Sequence, residues 1–397
     1  MFKAITFSHQ NKLDANNPID IGSLVECMLF YERTTVIANQ AILAQLIRYF
    51  GVERLILLIQ EDLLNITYTE SNLGIVTTTS VNGTQYHGTV EFSSPQHTYQ
   101  DELRKICVSV AGKDGKGRRL AQKIQDKIHV TPHDHIILEG ANKSILDQNY
   151  VGSAARIVIK ELVPELRDIS GVIFHTDKTN DGIVVATNIN FANLNELYHR
   201  RVPPQHSSIT PALILSHLLD VEKDLYFAST NLSELASSNL TAKLAKEKVD
   251  YVLARSTRSS EALTHFTEFL FQDAKAIRAA VNSEDLDLDV LIPVLQRSKK
   301  FKIWLTGVTP DENLIKEYYK EVTKGTIADK LPTKGARWAI FTGLGIAADA
   351  IATGGIGTIA GVAIGALDTF YVDKLIAGWK PNQFIEEDVT KLFNKDT

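Results

Sequence analysis

The residues best suited to hold an anion lie in one short basic loop, Ala111 to Arg119, which reads AGKDGKGRR. Its glycines would let backbone amides close on a phosphate, and Lys113, Lys116, Arg118 and Arg119 supply positive charge. Gly112 and Gly117 stand at P-loop spacing. Arg118-Arg119 replaces the Lys-Ser/Thr pair, however, so the hydroxyl that would ligate magnesium is missing. The loop is expected as a solvated basic turn opening a helix, with anion binding as its alternative use.

His129, His133 and His135, with Asp134 among them, form the one histidine cluster. Alternate strand positions could set His133 and His135 on one side as zinc ligands. Pro132 interrupts the run and spacing places no third or fourth ligand, so a polar strand entry is expected and no metal. Asp177, Thr179, Asp181 and Gly182 carry part of a calcium-loop pattern, but its twelfth position is Asn188, where a bidentate Glu is needed. Asp181-Gly182 reads more simply as a hairpin turn. There is no Gly-x-Ser-x-Gly elbow, no kinase signature, no Cys–His pair of family spacing and no GxGxxG after a strand. These absences lower the odds of an enzyme, and no cofactor is expected.

Composition bounds the remaining classes. The chain has 397 residues, 44% hydrophobic and 22% charged, with net charge −5, which gives no global basic surface for nucleic acid. Cys27 and Cys107 are the only cysteines, too few for a disulfide framework. No secretory signal opens the sequence, so a cytoplasmic protein is expected, peripheral to or conditionally inserted in the inner membrane.

The elements that must position these residues read as α/β. Residues 1–20 are a lead-in. Residues 21–150 form an α/β unit: a helix from Gly22 to Tyr31, a strand Thr34–Ala38, and a helix capped by Asn39 and stopped by Gly51. Three strands follow, two of them joined at Asn82-Gly83 by a type I′ turn, then helices over 99–128 and a strand His135–Leu138. Residues 151–255 form a second α/β unit with a helix near Ala154–Leu166, paired strands Gly171–His175 and Ile183–Ile189, a helix Thr210–Leu219 and a strand Leu225–Ser229. Residues 256–330 are expected helical, with Leu263, Phe266, Phe269, Leu270 and Ile277 on one face. The whole is α/β with mixed sheets, then all-α.

Residues 331–397 carry the most distinctive pattern. Residues 350–367 form an 18-residue run without charge. Gly335, Ala339, Gly343 and Ala347 recur every four residues, and so do Gly357, Gly361 and Gly365 beyond a Thr353-Gly354-Gly355 break. Each set stays near one helix face. Two such grooves could close backbone to backbone in a helical hairpin. This segment resembles the glycine-zipper hairpins of bacterial membrane-active and pore-forming proteins. The resemblance covers only the last part of the chain and implies lipid as a conditional partner, alongside self-association and a further protein partner. Asp349 makes permanent insertion costly by about 2.5–3.5 kcal/mol and could line a wet lumen. The expectation is a conditional membrane effector, with anti-phage defence as a natural setting. The alternatives are an oligomerising scaffold that uses the zipper as an interface, and a phosphate- or nucleotide-handling enzyme using Lys113–Arg119.

Overall fold

The computed structural model of the chain describes residues 4–10, 16–93, 98–166, 168–255, 267–271 and 338–342, and scattered positions between 281 and 299. These residues build a mixed α/β fold with a parallel and an antiparallel sheet.

The parallel sheet grows from its middle. β1 (Ala4–Phe7) leads through α1 (Ile21–Phe30) to β2 (Arg33–Ala38), then through α2 (Gln40–Phe50) and α3 (Val52–Gln60) to β3 (Asn65–Thr69). The Asn39 side chain accepts from the Ile42 amide at the start of α2, and Gly51, at φ 73°, ends that helix as its spacing predicts. A long hairpin, β4 (Ser71–Thr79) and β5 (Gln85–Ser93), follows. Next come α4 (Tyr99–Ala111), α5 (Asp114–Ile124) and β6 (His129–Thr131). Then α6 (His135–Leu146), α7 (Gln148–Leu162), β7 (Phe174–Lys178), β8 (Ile183–Thr187), α8 (Phe191–Tyr198) and α9 (Pro211–Thr230) precede β9 (Glu234–Ala236) and α10 (Asn239–Arg255).

Strand order in the parallel sheet is β6-β3-β2-β1-β9, and in the antiparallel sheet β4-β5-β8-β7. Both sheets draw strands from either side of residue 150, so the expected units 21–150 and 151–255 do not sort into separate sheets. The segment expected as a lead-in supplies β1, on which β2 and β9 both pair. All four β1 residues are buried. A strand covered on both faces shows no alternation, which is why so short a run gave no strand signal. Phe7, Val36, Leu43, Leu46, Leu103 and Cys107 share a core with α1 to α5 on one face. On the other, Ile37 packs with Ile137, Leu219 and Phe227 of α6 and α9.

Several local expectations are corrected. Residues 135–138 open helix α6, because Asp134 caps it by accepting from the Ile136 amide. α9 continues through residues 225–229, with Leu225, Phe227, Ala228 and Ser229 buried there. A helix enclosed on most sides loses the amphipathic period that separates helix from strand. The β4–β5 turn is wider than type I′. Thr79 pairs with Gln85, and only Gly83, at φ 84°, is left-handed. Residues 267–271 form β10 (Thr267–Phe271), which pairs antiparallel with β11 (Trp338–Thr342). This removes Phe269 and Leu270 from the expected helix and puts Ala339 in a strand opposite Leu270. Gly335, Gly343, Ala347, Asp349, Gly357, Gly361 and Gly365 lie outside the described residues. No described helix is long and apolar enough to cross a membrane.

Candidate functional site

Each parallel strand ends at one edge of its sheet, and the strand order reverses there. From β1 the chain steps outward through β2, β3 and β6, then returns to place β9 on the far side of β1. Such a reversal leaves a crevice beyond the carboxyl ends of the strands, because the flanking connections diverge to opposite sides. A cavity of about 160 Å³ lies at this point. Ser8 and His9 reach it from the end of β1, Ala38 and Asn39 from the end of β2, Thr69 from the end of β3, Ser71 from the start of β4, and His133 from just past β6. Asp220, Lys223 and Asp224 of α9 and Thr241 of α10 close the other side. A wider hollow of about 460 Å³ opens at the opposite, amino edge near Thr35, Asn65 and Asn231. The carboxyl-edge cleft is the one where chemistry converges.

Its central group is His133, whose side chain is 3% exposed. Nδ1 sits 2.8 Å from Ser71 Oγ, and Ser71 Oγ donates to Glu91. One hydroxyl carries one proton, so Ser71 must accept from Nδ1–H, and Nε2 is left with its lone pair. Among the described residues that Nε2 is buried and has no hydrogen-bond partner. The long β4–β5 hairpin makes this chain of bonds, since Ser71 opens β4 and Glu91 returns on β5, two positions from the register partner of Ser71. Burial pushes the His133 pKa down to about 4, and the charge of Lys223 adds to the effect against the opposing pull of Glu91. The ring therefore stays neutral at physiological pH. The Phe227 ring lies 6.1 Å from it.

The remaining walls are held by α9. Ser8 donates to Asp224 Oδ2 at 2.7 Å, tying the end of β1 to that helix. Lys223 Nζ lies 3.9 Å from Asp220 Oδ1. Tyr226 donates to Asp134 at 3.0 Å, fixing α9 against the start of α6 and hence against the His133 segment. Helical spacing turns Glu222 away from the cleft. It is fully buried and accepts from Ser144 Oγ, which in turn accepts from Lys248 Nζ at 2.9 Å. The chain matches no protein-family model, no curated protein and no solved structure.

The basic loop lies away from this cleft, at the junction of α4 and α5. Gly112, at φ 65°, is the left-handed cap of α4, and residues 114–119 already belong to α5. A Cβ on Gly117 would stand 2.4 Å from Val108 Cα, so this glycine lets α4 and α5 touch. Asp114 sits in the first turn of α5, where an anion would be drawn, and pairs with Arg118 at 2.7 Å. Lys113, Lys116, Arg118 and Arg119 are all exposed and none lines the cleft. Of the histidine cluster, His133 alone enters the cleft. His129 is exposed, and His135 begins α6 beside Asp134 at 2.9 Å. No described group of three His, Cys, Asp or Glu side chains is placed to hold a metal ion. Ser8, His9, Ser71, Glu91, Asp220, Lys223 and Asp224 carried no sequence motif. Ser8, His9 and Ser71 stand within two residues of a parallel strand's end, a positional signal that Glu91 of β5 and Asp220, Lys223 and Asp224 of α9 lack.

Proposed function

We propose that the α/β part of this chain is a sensor that binds a small polar ligand at the carboxyl edge of its parallel sheet. The observation that carries this reading is the convergence of Ser8, His9, Asn39, Thr69, Ser71 and His133, at the carboxyl ends of four parallel strands, with Asp220, Lys223 and Asp224 of α9 on one cavity. Four short strand ends also bring polar groups together without a motif of their own. The output belongs to the C-terminal segment. The spacing of Gly357, Gly361 and Gly365 within a charge-free run supports conditional action at a membrane, with anti-phage defence as the setting.

Two experiments test the halves separately. For the sensor, native mass spectrometry of the purified chain is compared with the variant Asn72→Trp, which fills the mouth from an exposed position. A co-purified small molecule that is lost in the variant supports the reading. If none is found, and no compound of a metabolite library raises the wild-type Tm above that of Asn72→Trp, the reading fails. For the output, Gly361→Leu is expected to abolish dye leakage from anionic liposomes. Unchanged leakage removes that role.

A further inference from the structure

We infer that the outer face of α5 docks on a layer of anionic lipid headgroups; this rests on the membrane output proposed above. Between residues 101 and 127 the chain holds eight Lys and Arg against four Asp and Glu. The whole chain is net −5 and this stretch is net +4, so the remainder is net −9. Positive charge is thus gathered at α4 and α5, and all eight of these cations are exposed.

Helix geometry sorts them. Gly117, Ala121 and Ile124 are buried and define the inner face of α5. At 100° per residue, Lys116, Arg119 and Lys123 fall within about 60° of one another on the outer side. Asp114, the one acid of α5, projects from another flank, where it meets Arg118 at 2.7 Å and Arg104 of α4 at 3.7 Å. Lys123 lies 3.6 Å from Glu53, whereas Lys113, Lys116 and Arg119 enter no ion pair among the described residues. Gly115 is an independent observation. Gly117 is explained by the approach of Val108, but a Cβ on Gly115 would meet nothing within 4 Å. Packing within the described residues does not require this glycine, and glycine weakens a helix. It stands one turn before Arg119 on the same face. A flat partner can therefore come close to the backbone there while the flanking cations reach its charges.

A membrane surface answers these features better than other polyanions. The potential of an anionic leaflet decays within a Debye length, about 8 Å, so the cations that face it outweigh acids elsewhere on the molecule. The exposed residues of 101–127 include no aromatic ring on which a nucleic-acid base could stack. No residue of α5 lines the cleft or the amino-edge hollow, where an acidic peptide could be held.

The test uses the full chain and vesicles of phosphatidylcholine with or without phosphatidylglycerol, and binding is read by co-flotation. Wild type is expected on the anionic vesicles alone, and sodium chloride should release it. Lys116→Ala/Arg119→Ala should bind about thirtyfold more weakly, at about fivefold per cation near an anionic surface. Lys178→Ala/Arg200→Ala makes the same change in net charge at exposed positions elsewhere and should bind like wild type. Inorganic phosphate should compete no better than chloride at equal ionic strength. The docking assignment is overturned if wild type stays off anionic vesicles, or if the α5 variant floats as well as wild type. It is also overturned if both double variants lose binding equally, or if phosphate displaces the protein selectively. Weaker retention of a nucleic-acid duplex by the α5 variant, with flotation unchanged, would give this face to nucleic acid instead. Gly361→Leu judges the output separately, since it should float as wild type does and lose only dye leakage.

Discussion

Acid should destabilise this protein through His133, and substitution isolates the effect. An unfolded histidine takes up its proton near 6.5, whereas burial holds His133 at about 4 in the folded chain. Between those values the unfolded state binds more protons, so stability falls as pH falls through this window. Linkage with these two values gives a loss of about 2 kcal/mol at pH 5 and about 3 kcal/mol at pH 4, relative to pH 8. His87, whose pKa burial also pushes down, adds to the acid sensitivity. The difference between wild type and His133→Gln removes contributions common to both. Urea unfolding at pH 8, 6.5 and 5 would measure it. The variant starts less stable at pH 8, since it loses the bond to Ser71, and should gain about 2 kcal/mol on wild type by pH 5. A difference constant to within about 0.5 kcal/mol across that range would show that His133 is not held neutral by its surroundings, and the assignment of Nε2 as a lone-pair acceptor would go with it.

Three further outcomes follow from other parts of the fold. Lys248→Met should cost about 3–5 kcal/mol by leaving the carboxylate of Glu222 buried without that cation, and the double variant Lys248→Met/Glu222→Leu should recover most of the loss in thermal unfolding. Additive effects in the double variant would show that the pair does not interact. Gly117→Ala should lower stability by about 1–3 kcal/mol although alanine favours helices, because its methyl meets the Val108 backbone; a raised Tm would refute the close approach of α4 and α5. Cys27 and Cys107 are both buried, and burial pushes the Cys107 thiol up to about 11. Neither should react with iodoacetamide at pH 8 until the chain is unfolded, so alkylation of the native protein, read by mass spectrometry, would contradict that burial.

How much of this was legible depended on whether the signal was local. Asn39 and Gly51 act through their own backbone neighbours, and both ends of α2 could be read from them. Thr210 and Pro211 likewise marked the start of α9. The other end of α9 was hidden, since neighbours on most sides demand apolar residues there and erase the 3.6-residue period. For the same reason the four residues of β1 passed unnoticed. The glycines of residues 111–119 attracted a phosphate reading because a glycine near lysines is compatible with two roles. The helix contact at Gly117 shows only in the approach of Val108.

Side-chain chemistry and local backbone preference are properties of a residue and its near neighbours, and they marked an α/β chain, its caps, its turns and an uncharged small-residue run near the end. The cleft has a different origin. Ser71 and His133 are 62 positions apart, and Ser8 and Asp224 are 216 apart. They meet because β1 pairs with both β2 and β9, so that the strands end together and the order reverses above them. Pairing across such separations depends on which surfaces find each other in the folded chain, and no short window of residues records it.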